Sequence, residues 1–319
     1  MDYAIQTFGL TKVFADLWGR AKVRAVTDLN LQVLYNEVFG LLGPNGSGKT
    51  TTLKMLLGLL HPTRGRAVVL GGDSTDPKIS ARLGFMPEES YLYRYLTARE
   101  TLDFYGRLFG LPGRVRRRRI EALLDMVGLN AVGNRPVGTF SKGMARRIGL
   151  AQALINDPEL LILDEPTTGL DPNQIIEIRS LIKELGKEKT VILSTHILPE
   201  VEATCGRVMI IHQGKLIAQG SLDEVIKLAS GANIHRVRIK GERSAIESKL
   251  GEIDGVDSVQ FQGEDDGFYR YQILAQPGRD LGEEIFRVCV QNQFILSELY
   301  RERRTLEDVF TQLTGGERE

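Results

Sequence analysis

Residues 43–50 have the residue types and spacing of a loop that binds phosphate groups. Their sequence, GPNGSGKT, matches the pattern G-x-x-x-x-G-K-[ST] at every fixed position. Glycines let the backbone approach an anion closely, and successive backbone N–H groups turn toward that anion at the start of a helix. The loop predicts a nucleotide site in which Lys49 reaches the β- and γ-phosphates and the Thr50 hydroxyl binds Mg²⁺.

The residues that flank this loop are typical of the elements that position it. Residues 38–42 form a short apolar run, which indicates a buried strand, and residues 51–57 have a helical pattern. A phosphate-binding loop lies between such a strand and such a helix. We therefore assign a continuous set of residues to nucleotide binding: Gly43, Pro44, Asn45, Gly46, Ser47, Gly48, Lys49, Thr50 and Thr51.

Two adjacent carboxylates, Asp164 and Glu165, follow the apolar run 160–163. An acid at the carboxyl end of a strand near a phosphate loop is the second group that holds magnesium in nucleotide hydrolases of this type. Because side chains alternate along a strand, the two carboxylates point in different directions. One of them can hold the metal while the other orients the attacking water.

A second helix start with anion-binding features precedes the helical segment 145–154. Ser141 is a favourable N-cap residue, and glycine at 143 leaves backbone N–H groups open to an anion. Taken alone, an ordinary N-cap explains Ser141 and Gly143 better than a phosphate site does.

Charge and cysteine content narrow the functional classes. The 319 residues include 41 Lys and Arg and 41 Asp and Glu, so the net charge favours neither nucleic acid nor an anionic membrane surface. Cys205 and Cys289 lie far apart without metal spacing, which indicates buried thiols in a reducing, cytosolic protein. We find no secretory signal and no apolar run near the ~20 residues of a membrane span. A role at a membrane would therefore require other chains that span it.

Alternating strand and helix patterns over residues 1–230 predict an α/β domain with a largely parallel, buried sheet. Residues 88–158 are mostly helical in pattern, which predicts a helical subdomain with a capped helix start at Thr97. The strand candidates are residues 38–42, 67–70, 160–163, 191–193 and 208–211.

Residues 231–319 follow the linker candidate Ser230-Gly231 and predict a separate α+β domain. Strand and helix candidates occur there in the order βαββαβ, which suits a small ferredoxin-like fold. Residues 305–308 resemble a capping box that opens a last helix. The strand candidates are 234–240, 256–262, 268–275 and 294–300, and the helix candidates are 244–250 and 281–288.

In their order along the chain, these motifs resemble the ATP-binding subunits of ABC transporters. Residues 166–171, PTTGLD, look like the family's loop after the catalytic glutamate, and residues 194–196, STH, look like its switch histidine segment. The resemblance covers most of residues 4–230. It is weaker over residues 231–319, whose end looks like the accessory tail of the exporter-type branch, the drug-export, gliding-motility and sodium-export relatives.

The resemblance implies an ATP hydrolase that drives a separate membrane permease, as an exporter, from the cytoplasmic face of the membrane. Two copies would close head-to-tail over two ATP molecules, with no nucleic acid partner. One chain would supply Lys49, Thr50, Asp164, Glu165 and His196 to each site, and the other chain Ser141 and Gly143. Glu165 and His196 would be catalytic, and Mg²⁺ would be held by Thr50, Asp164 and Glu88.

The sequence departs from the family's usual pattern in three respects. Glu88 replaces the glutamine of the loop that touches both magnesium and the membrane subunit, which adds negative charge. Lys142 and Met144 stand where Gly and Gln are more usual. Phe14 matches the aromatic residue that stacks on adenine, but the segment after it is longer than usual and offers Trp18 as an alternative.

Three other functions are compatible with parts of the pattern. A soluble ABC-type ATPase of translation or DNA repair would share the motifs, although such proteins commonly carry two cassettes or long coiled coils. A regulatory GTPase or small-molecule kinase would leave the Ser-x-Gly helix start unexplained. A nucleotide-gated binding module would result if Glu88 or Lys142 disabled turnover. The transported substrate is not encoded in these motifs.

Overall fold

The computed structural model describes residues 3–15, 21–89, 91–228, 233–276, 279–302 and 306–313. The chain divides into two compact units, Met1–Val225 and Ile226–Glu319. Four residues of interest in the sequence lie outside the described ranges: Trp18, Ser230, Gly231 and Thr305.

The described residues form fifteen strands and eleven α-helices. The strands are β1 (Tyr3–Ala15), β2 (Ala21–Leu29), β3 (Gln32–Leu34), β4 (Val38–Leu42), β5 (Arg64–Val69), β6 (Gly72–Asp73), β7 (Leu83–Met86), β8 (Leu160–Asp164), β9 (Thr190–Thr195), β10 (Arg207–His212), β11 (Lys215–Ser221), β12 (Asn233–Lys240), β13 (Val256–Asp265), β14 (Phe268–Ala275) and β15 (Ile295–Arg301). The helices are α1 (Lys49–Leu56), α2 (Pro77–Ser80), α3 (Ala98–Leu108), α4 (Gly113–Met126), α5 (Lys142–Ala153), α6 (Pro172–Gly186), α7 (Leu198–Thr204), α8 (Leu222–Leu228), α9 (Arg243–Gly251), α10 (Gly282–Gln291) and α11 (Leu306–Leu313).

A six-stranded sheet in the order β11-β10-β4-β9-β8-β7 forms the centre of the first unit. Its strands are parallel except for β11, which pairs antiparallel with β10. Every residue of β4, β8 and β9 is buried, as expected for strands covered on both faces. The predicted α/β fold is confirmed. The edge strand β7 was not identified from the sequence because it is short and contains Gly84.

The prediction that residues 67–70 belong to the parallel sheet was wrong. Strand β5 pairs antiparallel with β1 in a second sheet, with the order β2-β1-β5-β6 and β3 also paired to β1. Along β5 only Ala67 and Val69 are buried, and this alternation is typical of an antiparallel strand covered on one face. Residues of both sheets and of α1 belong to one hydrophobic cluster, so α1 is fixed on both sides.

Side-chain caps fix two helix starts of the segment 88–158. Thr97 caps α3 in a complete capping box with Glu100, as the sequence predicts. Ser141 caps α5 by accepting a hydrogen bond from the Met144 backbone N–H at 3.2 Å. These caps set where α3 and α5 begin.

The second unit is a four-stranded antiparallel sheet in the order β13-β14-β12-β15. With α9 and α10 between the strands, the chain order is βαββαβ, which is the ferredoxin-like arrangement expected from the sequence. Alternate residues of β12 are buried, and Val237 and Ile239 pack in a core with residues of both helices. The hairpin between β13 and β14 turns at Asp266 and Gly267, which both have positive φ, as a tight two-residue turn requires.

Both cysteines are free and buried, Cys205 in the first unit and Cys289 in the second. Burial raises the pKa of Cys205 and raises the pKa of Cys289 to about 11. Such thiols are poor nucleophiles at neutral pH. None of the helices in the described ranges has the length and hydrophobicity needed to cross a bilayer.

His235 on β12 is a buried titratable group, with 1% of its surface exposed. The Leu281 backbone N–H lies 3.1 Å from His235 Nε2 and donates a hydrogen bond to this nitrogen when it is unprotonated. Burial lowers the pKa of His235, although the Asp280 carboxylate, 3.0 Å from Nε2, opposes that effect. The folded chain therefore favours neutral His235.

We expect the second unit to lose stability as the pH falls below the ordinary histidine pKa of 6.5. Below this value the unfolded chain binds a proton that the folded chain resists, so the free energy of unfolding falls by up to about 1.4 kcal/mol per pH unit. Urea titrations at pH 7.5 and 5.5, followed by hydrogen–deuterium exchange of residues 233–302, measure the change. In the His235→Asn control, which keeps an acceptor but does not titrate, this pH dependence should shrink. An equal pH dependence in both proteins would contradict the assignment.

Candidate functional site

The phosphate-binding pattern forms one wall of a cleft of about 460 Å³ in the first unit. Residues 44–51 all line the cleft, where the loop connects β4 to α1, as predicted. Gly48 has φ 107° and occupies the N-cap position of α1, a conformation that favours glycine. A Cβ on Gly43 would collide with the Ile211 carbonyl oxygen, so only glycine fits at the start of the loop. The other lining residues are Val23, Arg24, Ala25, Glu88, Glu165 and Gln213.

The Lys49 ammonium is buried and held across the loop. Its Nζ donates hydrogen bonds to the carbonyl oxygens of Gly43 at 2.7 Å and Pro44 at 3.2 Å. It also lies 3.4 Å from Glu165 Oε1. These contacts place a positive charge at the cleft wall, and the carboxylate offsets the cost of burying it.

Thr50 and Asp164 form the part of the site that fits a magnesium ion. The Thr50 hydroxyl donates to Asp164 Oδ2 at 3.0 Å, and Asp164 is 2% exposed. Its other oxygen, Oδ1, is buried and has no hydrogen-bond partner among the described residues. Burying a carboxylate oxygen without a hydrogen-bond donor costs free energy. Carboxylate oxygens are the ligands that hard cations prefer.

No group of three or more His, Cys, Asp and Glu side chains in the described ranges is arranged to hold a metal. Mg²⁺ does not require such a group, because it is commonly bound by one or two carboxylates together with phosphate oxygens and water. The chemistry of the Thr50 hydroxyl and the unpartnered oxygen of Asp164 fits such an ion, and Glu88 lines the same cleft as Thr50.

Glu165 has an unusual backbone conformation for a residue that is not glycine, with φ 48°. The left-handed region costs such a residue roughly 1–2 kcal/mol. The Glu165 N–H donates to the Ser194 carbonyl at 2.9 Å, which extends the β8–β9 pairing by one residue before the chain turns. The carboxylate meets His196 Nδ1 at 2.9 Å and accepts from the Thr168 hydroxyl at 3.3 Å. Glu165 therefore joins Lys49 to His196.

Ser141 and Gly143 do not line this cleft. Ser141 is exposed at the start of α5, and Gly143 is covered by Gln174, which a Cβ on Gly143 would strike. The structure thus brings Lys49, Thr50, Asp164, Glu165, His196 and Glu88 together but leaves the Ser-x-Gly helix start outside the group.

Phe14 is 42% exposed on β1 and does not line the cleft. Its ring lies 5.3 Å from Lys12 Nζ, which is a cation–π distance. Its cross-strand neighbour Val23 does line the cleft. The alternative stacking residue, Trp18, lies outside the described residues.

Sequence analysis missed Glu200, a carboxylate on α7 that is 1% exposed. It accepts a short hydrogen bond from the Thr167 hydroxyl and one of 2.9 Å from the Thr195 hydroxyl. Thr167 follows Glu165 by two residues and Thr195 precedes His196, so Glu200 ties together the segments that carry both side chains. Nothing local in the sequence marks Glu200, because a glutamate in a short helix is usually exposed.

Comparison with known proteins gives matches over nearly the whole chain. A family model described as ABC transporter matches residues 26–168. An uncharacterized ABC transporter ATP-binding protein of Nostoc sp. is 38% identical over 315 residues, which cover 97% of this chain and 93% of the relative. The Nod factor export ATP-binding protein I of Burkholderia orbicola is 35% identical and covers 92% of this chain and of its own length. A solved dimeric ATP-binding cassette in a post-hydrolysis state, bound to ADP and Pi, has a TM-score of 0.63 and 27% identity, over 68% of this chain and 98% of that chain.

We expect Glu200→Gln to slow nucleotide hydrolysis about tenfold, which corresponds to one lost charge-assisted hydrogen bond of about 1.5 kcal/mol. The amide removes the negative charge that both threonine hydroxyls share, so the segments before His196 and after Glu165 are held together less strongly. Steady-state phosphate release measures the effect. Glu202→Gln, at an exposed position of the same helix, is the matched control. Equal rates in the two variants would contradict a positioning role for Glu200.

Proposed function

The chain belongs to the ATP-binding proteins of ABC transporters, a family of ATP hydrolases, and from this premise we propose that it powers export through a separate membrane permease. The observation that carries the hydrolytic part of the proposal is the left-handed turn at Glu165, whose carboxylate contacts both Lys49 and His196. A relative that spans the same length is named for Nod factor export, which supports the direction of transport.

In the proposed site, the chain's own groups mainly position ATP and stabilise charge, because phosphoryl transfer requires little covalent chemistry of the protein. Lys49 exchanges its carbonyl partners for β- and γ-phosphate oxygens. Thr50, Asp164 and Glu88 hold Mg²⁺, which when bound neutralises charge on the phosphates. Glu165 accepts a hydrogen bond from the attacking water and orients it, and His196 contacts the γ-phosphate.

A second copy of the chain completes each site in this proposal. Ser141 lies exposed at the start of α5 and outside its own cleft, so its helix N-terminus is available to a nucleotide held by another chain. The dimeric state of the solved cassette supports this arrangement. ATP then acts as the ligand that joins two copies, and hydrolysis separates them.

In this proposal the permease docks on a groove in the first unit of the chain. An apolar groove of about 280 Å³ is lined by Leu57, Leu59, Leu83, Phe85 and Phe109, of which Leu59 is 66% exposed. Exposed apolar surface is typical of protein interaction sites, although Ser80, Gln152 and Asn156 also line this groove. We place the chain at the cytoplasmic face of the membrane through this contact. Co-purification of a membrane protein that stimulates ATP hydrolysis would separate this function from that of a soluble ABC-type ATPase.

We expect Glu165→Gln to retain ATP binding and to slow hydrolysis by about 100-fold or more, the usual effect of losing a catalytic base. The amide keeps the shape of the site and leaves Asp164 and Thr50 in place, so ATP should hold the variant as a dimer. Single-turnover kinetics and light scattering with Mg²⁺ and ATP measure both effects. Hydrolysis at the parental rate would show that Glu165 has another role.

A composite site predicts that Ser141→Arg blocks hydrolysis but spares ATP binding to one chain. The arginine obstructs the helix start that faces the partner's nucleotide. Mixing Ser141→Arg chains with Lys49→Ala chains should restore activity, because each heterodimer contains one site with both residues intact. Full activity of Ser141→Arg alone, or no recovery on mixing, would argue against a site shared between chains.

A further inference from the structure

Arg146 is a buried arginine on α5 that none of the motifs assigns to a role. It is 7% exposed, and its guanidinium donates a hydrogen bond to the Pro87 carbonyl at 3.3 Å. Within the described residues no carboxylate oxygen lies within 4.0 Å of this guanidinium. Burying a cation without a close counter-ion costs free energy, which negative charges farther away can offset.

The charges around Arg146 are acidic and belong to the nucleotide cleft. Burial lowers the pKa of Arg146, and the negative charges of four carboxylates oppose this effect. In decreasing order of influence they are Glu88, Glu89, Glu165 and Asp164. Arg146 lines a small hollow of about 300 Å³ together with Glu88 and Glu89. The field of its guanidinium therefore acts on the loop that follows Pro87.

Glu88 lies where the two hollows meet, because it lines both the nucleotide cleft and the hollow of Arg146. Its carboxylate forms no hydrogen bond or ion pair of ordinary length with other described residues. Lys49, a buried cation of the nucleotide cleft, already pairs with Glu165 at 3.4 Å. Arg24 in the cleft and Lys142 in the hollow also border Glu88, but both are exposed. Arg146 is the buried cation of the hollow, so solvent and salt screen its charge least.

We propose that Arg146 is a positioning residue that compensates the charge of Glu88 and links its loop to helix α5. The inference rests on the proposed ATP site, where an uncompensated Glu88 would repel the phosphates. The same helix begins at Ser141, the residue that would contact the partner's ATP. Arg146 thus connects the loop at one nucleotide to the helix whose start would contact the other.

A role in packing alone makes a different prediction. The aliphatic part of a buried arginine side chain covers apolar surface. If Arg146 acted only in this way, removing it would change ATP binding by the same amount whichever residue stands at position 88. Charge compensation instead makes the effect of Arg146 depend on Glu88. A double-mutant cycle separates these explanations.

The experiment compares the wild type with Arg146→Gln, Glu88→Gln and the double variant. Equilibrium ATP affinity with Mg²⁺ and kcat/KM are measured for each. We expect Arg146→Gln to weaken binding at least about fivefold when Glu88 is present, and less than about twofold when residue 88 is glutamine. Arg146→Lys, which keeps the positive charge, should still compensate Glu88 and should therefore weaken ATP binding less than Arg146→Gln does.

Arg147 provides the matched control on the same helix, since it pairs with Glu177 at 2.9 Å. The effects of Arg147→Gln and Glu88→Gln should add. Additive effects of Arg146→Gln and Glu88→Gln would overturn the inference. If Arg146→Gln alone does not fold, charge compensation predicts that the double variant, which also lacks the charge of Glu88, does fold. A double variant that does not fold would then overturn the inference.

Failure of the proposed function has a separate signature. A wild-type protein that binds ATP but neither hydrolyses it nor responds to a permease would reject that function, while the binding cycle still tests Arg146. Conversely, active wild-type protein with an additive cycle rejects only the role of Arg146.

Discussion

The parallel alignment of β4, β8 and β9 is the constraint on which the site depends. Leu42 is opposite Thr195, and Asp164 is opposite Ser194, so these three strands end at one edge of the sheet. Groups that lie more than a hundred residues apart in the chain therefore meet within hydrogen-bond distance, as the Thr50–Asp164 contact shows. A shift of one residue in either pairing would turn the carboxylates away from the loop.

The sequence predicted the parts of the site whose chemistry is local. The phosphate loop, the two acids at the carboxyl end of β8 and the Ser141 cap each need only a few consecutive residues, and the structure brings the first two together. The membership of β5 in a second sheet was not predictable in this way, because strand pairing is decided by distant residues. Glu200 and Arg146 were missed for a related reason: tertiary packing determines whether a charged side chain is buried.

At this edge of the sheet, most charged side-chain atoms of the site lie next to a group that offsets their charge or accepts their hydrogen bond. Lys49 faces Glu165, Thr50 occupies one oxygen of Asp164, and the second oxygen of Asp164 lacks a donor among the described residues. Asp164, Glu165 and Lys49 are only 2–5% exposed, so solvent screens the interactions between their charges little. The arrangement leaves a place for one additional positive charge at the unpartnered oxygen of Asp164.

The two buried cysteines have a practical consequence for spectroscopy. The chain contains no other cysteine, and a thiol with a pKa of about 11, such as Cys289, is almost entirely protonated at neutral pH. Maleimide and nitroxide reagents require an accessible thiolate, so the natural chain already serves as an unreactive background. A cysteine introduced at an exposed position, for example Ile176 on α6, which is 60% exposed, would carry a probe at a single place. Distances between two such probes could then be followed in solution through a turnover cycle without first removing native thiols.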